Sequence, residues 1–216
     1  MTLALRISTT NRRRKWELFL RHFPPAPDMR VLDVGFCGQE YSPADNWIEK
    51  HYPYPHQLTA VGLEGLEEFS RRYPRVRAVR YDGGRLPFDD GQFDVAWSNA
   101  VLEHVGASAR QVEFLRELRR VAKRAYLSTP NRWFPIEIHT RLPLLHWLPK
   151  GACDAILRGV GKHWATGDYM HLLSRRRLQK LLEQAGFDTY QIVANRLAGL
   201  VLDFVVITNP PRASET

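Results

Sequence analysis

The run Val31-Leu32-Asp33-Val34-Gly35 restricts this chain more than any other stretch. Its aliphatic residues read as a strand buried on both faces, the kind that lies in a parallel sheet covered by helices. A glycine at the exit permits positive φ and lets backbone approach a ligand closely. The turn is expected to lead into a helix whose first N–H groups face the ligand. Asp33, two residues before the glycine, would oppose a phosphate and tolerate a cationic ligand far better.

The chain has 216 residues, 44% of them hydrophobic, which suits one domain with a decoration around a proper core. Its 31 basic and 23 acidic residues leave a net charge of +8, which favours anionic partners. The basic clusters Arg12-Arg13-Arg14-Lys15, Arg119-Arg120, Lys123-Arg124 and Arg175-Arg176-Arg177 lack the aromatic and glycine pattern of an RNA-binding sheet. No helix-turn-helix or zinc-finger spacing accompanies them, so nucleic acid is disfavoured. Cys37 and Cys153 form no disulfide framework and no metal spacing. The apolar stretch from Leu197 to Ile207 carries Asp203 and falls short of the roughly 20 residues of a membrane span. The apolar start of the chain is too brief for a secretory signal, and a reducing cytoplasm is the expected compartment.

Read in order, residues 9–23 form an amphipathic helix stopped by Pro24-Pro25, and residues 1–27 a cap. A helix from Ala44 to His51 and a second buried strand from Leu58 to Leu63 follow. Glu64 ends that strand, where an acid can accept hydrogen bonds from both ribose hydroxyls of an adenosine. The third strand, Val76 to Tyr81, runs into Asp82-Gly83-Gly84, an acid and glycines suited to an adenine edge. Val95 to Asn99 is the fourth strand, and its exit Ser98-Asn99-Ala100-Val101-Leu102-Glu103-His104 brings polar groups to the ligand side. A helix over Ser108–Ala122, a strand over Ala125–Ser128, a helix over 174–185 capped by Ser174, and two closely linked strands complete the pattern.

Three stretches, Val31-Leu-Asp-Val-Gly, Leu86-Pro-Phe-Asp-Asp-Gly-Gln-Phe-Asp and Ser98-Asn-Ala-Val-Leu-Glu-His-Val, resemble in order and spacing the class I S-adenosylmethionine-dependent methyltransferases, in particular the small-molecule, type 11-like subgroup. The resemblance implies an α/β fold with a doubly wound, mostly parallel seven-stranded sheet whose last strand is reversed, and S-adenosylmethionine as cofactor. It implies binding roles for Asp33, Gly35, Gly38, Glu64, Asp82, Gly83 and Asn99. One departure stands out: Cys37 occupies the place of a second glycine, and Gly38 follows one position late. The core is expected over 28–130 and 174–209, with a tail over 210–216 that contains Pro210-Pro211.

Residues 131–173 interrupt that core, and prolines 130, 135, 143 and 149 forbid one long helix. The leading expectation is a broken lid that selects the acceptor. A second is that Trp133, Phe134, Leu144, Leu145 and Trp147 enter a membrane interface, which would place the protein peripherally at the inner face of an anionic membrane beside a lipid-linked substrate. The third is core filling. His139 and His146, separated by Pro143, lack the partners of a metal site.

The expected reaction is methyl transfer to a small-molecule, carbohydrate or lipid-linked acceptor, most simply a hydroxyl. His104 is the first candidate base and His139 the second; orienting Glu103 is the alternative role for His104. A noncatalytic cofactor-binding subunit is the alternative function. A nicotinamide-dependent oxidoreductase fits less well, because the third glycine of its fingerprint is missing.

Overall fold

The computed structural model describes residues 3–208, apart from 138, 139, 141, 168 and 169. Seven strands form one sheet in the order β3-β2-β1-β4-β5-β7-β6, and the chain divides into two compact units. The first comprises Met1–Ser98 with Glu117–Tyr126, the second Asn99–Arg116 with Leu127–Thr216.

In the first unit, β1 (Val31–Val34), β2 (Leu58–Gly62), β3 (Arg77–Arg80) and β4 (Val95–Asn99) run parallel. Every residue of β1 and β2 is buried, as the unbroken aliphatic runs require, whereas β3 exposes Arg77 and Arg80 at its ends. Charge on this edge strand blocks pairing with another chain. Helix α1 (Leu3–His22) lays Trp16 and Phe19 on the sheet, and Phe23 is buried just past its end. Phe19 meets Trp97 edge-on at 5.0 Å, and Trp97 stacks on Tyr126 at 4.9 Å. The Tyr126 hydroxyl donates to the Lys15 carbonyl at 2.5 Å, satisfying a buried polar group. The helix starts six residues before its expected position, because residues 3–8 hold no proline or glycine to stop propagation.

Helix α2 (Trp47–His51) is shorter than expected. Asn46 takes a left-handed φ of 47° and ends the preceding loop, so residues 44–46 never enter the helix. Helix α3 (Leu66–Arg72) then leads to the third strand.

The second unit receives α4 (Ser108–Val121) up to Arg116 and most of β5 (Ala125–Pro130). Its own elements are α5 (Lys150–Gly159), α6 (Arg175–Gln184) and the antiparallel pair β6 (Tyr190–Leu197) and β7 (Leu200–Thr208). The Ser174 hydroxyl accepts the Arg177 N–H at the start of α6, and Leu178, Leu181 and Leu182 form its buried stripe. Residues 131–173 form a closed excursion: Asn131 bridges Leu173, and the Arg132 N–H donates to the Leu173 carbonyl at 3.0 Å. No helix among the described residues is long and apolar enough to cross a membrane.

Candidate functional site

The exits of β1, β2 and β3, adjacent parallel strands, carry Gly35, Gly38, Glu64, Asp82 and Gly83. Gly35 adopts φ 110°, closed to most side chains, and its N–H donates to the Val61 carbonyl at 2.9 Å. The Phe36 N–H reaches the same carbonyl at 3.3 Å, and the Cys37 N–H goes to Asn46 Oδ1 at 2.8 Å. The Asn46 amide returns a bond of 2.8 Å to the Cys37 carbonyl. These N–H groups are therefore taken up by the protein, and a loop carries the chain from the turn to α2. Burial, followed by the charges of Asp45 and Asp33, pushes the Cys37 thiol up to about 11, so it stays protonated at neutral pH.

A Cβ on Gly38 would lie 2.4 Å from the Gly65 Cα, and one on Gly65 would lie 2.5 Å from the Gly38 Cα. The turn after β1 thus rests backbone to backbone on the loop that presents Glu64. Glu64 itself is exposed. Leu63 before it is 57% exposed, and its Cδ2 lies 3.9 Å from where a Gly83 Cβ would stand. At the third strand end, Asp82 Oδ1 accepts the Gly84 N–H at 2.9 Å, and Gly83 takes φ 87°. A flat ring could lie on Leu63 without meeting a side chain at Gly83.

Asp33 lies beneath the turn, buried beside the equally buried Glu49 of α2. Burial pushes Asp33 up to about 6, with Glu49 and Arg12 opposing the rise. Burial and the charge of Asp33 hold Glu49 well above the usual carboxylate range. Both Glu49 oxygens are buried without a hydrogen bond of ordinary geometry. Two carboxylates in contact cannot both ionise there, so the pair retains a proton near neutrality. A cationic group brought close would displace it.

The remaining expected residues belong to the second unit. Asn99 Oδ1 accepts the Ser128 hydroxyl at 2.9 Å, while its Nδ2 is buried without a partner. The next residue, Ala100, has φ 58°, a strained value for a side chain with Cβ, and its N–H donates to the Ser128 carbonyl at 2.9 Å. His104 ends a short 3₁₀ turn, with Nε2 3.9 Å from Oε1 of Glu103. Glu103 is fully buried, and its Oε2 accepts the Thr129 hydroxyl at 3.0 Å. His139 lies outside the described residues. His146 is anchored by the Phe134 carbonyl at 2.9 Å, and burial holds its imidazole below the usual value, which marks it as a structural group of the excursion.

Sequence reasoning missed Leu63 as a surface and Glu49 altogether. Leu63 reads as the last buried residue of a strand, and only its position past the end of β2 exposes it. Glu49 carries no local signal, since its partner lies 16 residues earlier on another element.

The sequence matches the family described as a methyltransferase domain over residues 32–125. Two curated relatives, both described as probable S-adenosylmethionine-dependent methyltransferases and drawn from two strains of Mycobacterium tuberculosis, are 31% identical over 125 residues. Each match covers 56% of this chain and 42% of the relative, so the chain aligns with less than half of their length. Among solved structures, a methyltransferase from Methanosarcina mazei superposes with a TM-score of 0.57 at 18% identity, covering 88% of this chain and 96% of that one. The CurJ carbon methyltransferase gives 0.59 at 16% identity over 93% and 54% of the two chains. The N-terminal domain of EvdMO1, crystallised with SAH bound, gives 0.54 at 19% identity over 93% and 81%. These likenesses establish a Rossmann-like methyltransferase fold.

Proposed function

We propose that this chain is a class I S-adenosylmethionine-dependent methyltransferase, and that it catalyses methyl transfer from S-adenosylmethionine to a hydroxyl of a small-molecule, carbohydrate or lipid-linked acceptor; its methyltransferase-domain match, its relatives and its fold support the reading. The observation that carries the reading is the backbone contact of Gly38 with Gly65, which sets the turn after β1 against the loop bearing Glu64. A ligand with a cationic amino-acid end and a ribose needs those two features side by side.

Bound S-adenosylmethionine supplies a methyl group that its sulfonium already makes electrophilic. Glu64 offers two acceptor oxygens to vicinal hydroxyls, and Asp82 and Gly83 border a flat ring resting on Leu63. Asp33 and Glu49 place negative charge under the turn, and Asn99 has a buried amide donor to offer. With the electrophile prepared, the chief task of the chain is orientation, which supplies about 7 to 11 kcal/mol, against roughly 3 to 5 kcal/mol from a general base. His104 accepts the proton of the acceptor hydroxyl, and Glu103, held by Thr129, stabilises the imidazolium that forms. Residues 131–173 select the acceptor.

Titration calorimetry with S-adenosylmethionine and, separately, NAD tests the cofactor. Binding of the first alone is expected, and Glu64→Ala should weaken it by about 1.5 to 3 kcal/mol, the worth of hydrogen bonds to a charged group. Unchanged affinity in the folded variant removes Glu64 from the site. His104→Ala should lower kcat by about 10² to 10⁴-fold, with partial recovery at high pH. Full turnover in that variant would mean that the acceptor needs no base from this residue.

A further inference from the structure

Among the described residues, eight of the eleven large apolar side chains that stand exposed fall within residues 133–164. Soluble surfaces scatter such residues singly, and a concentration of this kind marks a surface that is covered in use. Helix α5 has a buried and an exposed side. Leu157 packs inward beside Asp154, whereas Ile156 and Val160, one turn apart, point to solvent, and Trp164 follows them at 51% exposure.

Charge decides what covers this face. The acids of the described residues in 132–167 are Glu137 and Asp154, and both are buried. Asp154 is engaged internally, accepting from Lys150 at 2.5 Å and from the Gly167 N–H at 3.2 Å. Lys150 and Arg158 are exposed, and Lys162 holds its ammonium 5.9 Å from the Trp164 ring. Arg132 lies over Trp133 in the same way, at 5.6 Å. The outer surface therefore combines hydrocarbon, indole and positive charge with no exposed carboxylate among its described residues. Tryptophan and aliphatic groups favour the boundary between headgroups and acyl chains, and lysine and arginine favour anionic headgroups. A protein partner matched to such a face would need a broad apolar and acidic patch, whereas an anionic bilayer presents both properties everywhere.

We propose that the α5 face of this excursion, centred on Ile156, Val160 and Trp164 and rimmed by Arg158 and Lys162, seats the protein on an anionic phospholipid surface. Only the apolar tips enter the interface, and the cationic groups stay at headgroup level. Seated there, the chain meets acceptors carried on lipids. That consequence rests on the methyl-transfer reading, but the seating itself does not.

The test is cosedimentation of the full chain with vesicles of neutral phosphatidylcholine, and with vesicles containing about one third phosphatidylglycerol. Binding is expected to the anionic vesicles, with partial release at high salt. Lipids brominated in the acyl chains should quench tryptophan fluorescence in the wild type and less in Trp164→Phe. The double variant Ile156→Ser/Val160→Ser should lower partitioning by about tenfold, and Arg158→Glu/Lys162→Glu should abolish the preference for anionic lipid. Calorimetry with S-adenosylmethionine, expected to be unchanged in these variants, reports on the cofactor reading separately. The proposal is overturned if the wild type binds neither vesicle or prefers neutral lipid, or if folded variants partition as the wild type does. Light scattering that finds a dimer dispersed by the serine variant would assign the face to a second copy and overturn it equally.

Discussion

Residues 31–65 and residues 132–167 break the usual rule of burial in opposite directions. The first segment buries charge: Asp33 and Glu49 lie in contact under a turn whose backbone N–H groups are already bound. The second exposes hydrocarbon, with Trp133, Ile156, Val160 and Trp164 standing in solvent while its acids are buried. Each departure costs stability in the free protein, and each is suited to what the segment is proposed to meet, a cationic polar ligand in one case and an apolar anionic surface in the other. Their tolerance of change should differ as well. The turn is fixed by contact between backbones, whereas Ile156 and Val160 on α5 and its cap are exposed.

The sharpest way to break this contrast is Gly38→Ala. Its Cβ would come within 2.4 Å of the Gly65 Cα, where only backbone could yield, and we expect a loss of about 3 kcal/mol in urea unfolding together with loss of cofactor binding. A variant neutral in both measurements would show that the two loops do not touch in solution.

Glu49→Gln should act in the other direction. The pair of acids is raised in the fold, so its contribution to stability is complete below the ordinary carboxylate range and is lost as pH rises through about 6. The wild type should therefore lose thermal stability between about pH 5 and 7. The amide variant should flatten that slope and gain about 2 kcal/mol near pH 7.5, or several degrees in Tm, while weakening the cofactor complex. Thermal scans of both proteins across this range check it, and an unaltered slope would mean that the pair does not share a proton.

The smallest effects belong to the excursion. Trp133→Ala and Ile156→Ser should each leave unfolding free energy within about 0.5 kcal/mol, since both side chains are exposed at the surface. Trp133→Ala should raise the KM of the acceptor and leave cofactor affinity intact. A large loss of stability in either variant would make the segment part of the core and erase the contrast.

Much of the sheet could be read from sequence because its signals are local. The fourth and seventh strands occupy the expected Val95–Asn99 and Leu200–Thr208, mostly apolar stretches that end at polar residues. The start of the helix expected over Ala44–His51 differs, since it begins only at Trp47. Asn46 binds the Cys37 backbone from nine residues away in a left-handed conformation, which keeps residues 44–46 in the loop. Glu64, Asp82 and Gly83 could be found because strand exits are predictable. The Gly38–Gly65 contact could not, since neither glycine announces the other.

The sequence alone determined a doubly wound α/β sheet with one broken insertion, and which residues stand at its strand exits. Hydrophobic period, glycine turns and prolines act over a few residues, so they can be read without knowing what lies across the fold. The tertiary structure decided that two glycines 27 positions apart must touch, that Asp33 and Glu49 share one buried environment, and that the aromatics of the insertion face outward. Each of these depends on a distance between elements remote in sequence. Steric exclusion, desolvation and the coupling of charges are set by that distance, and no local pattern encodes it.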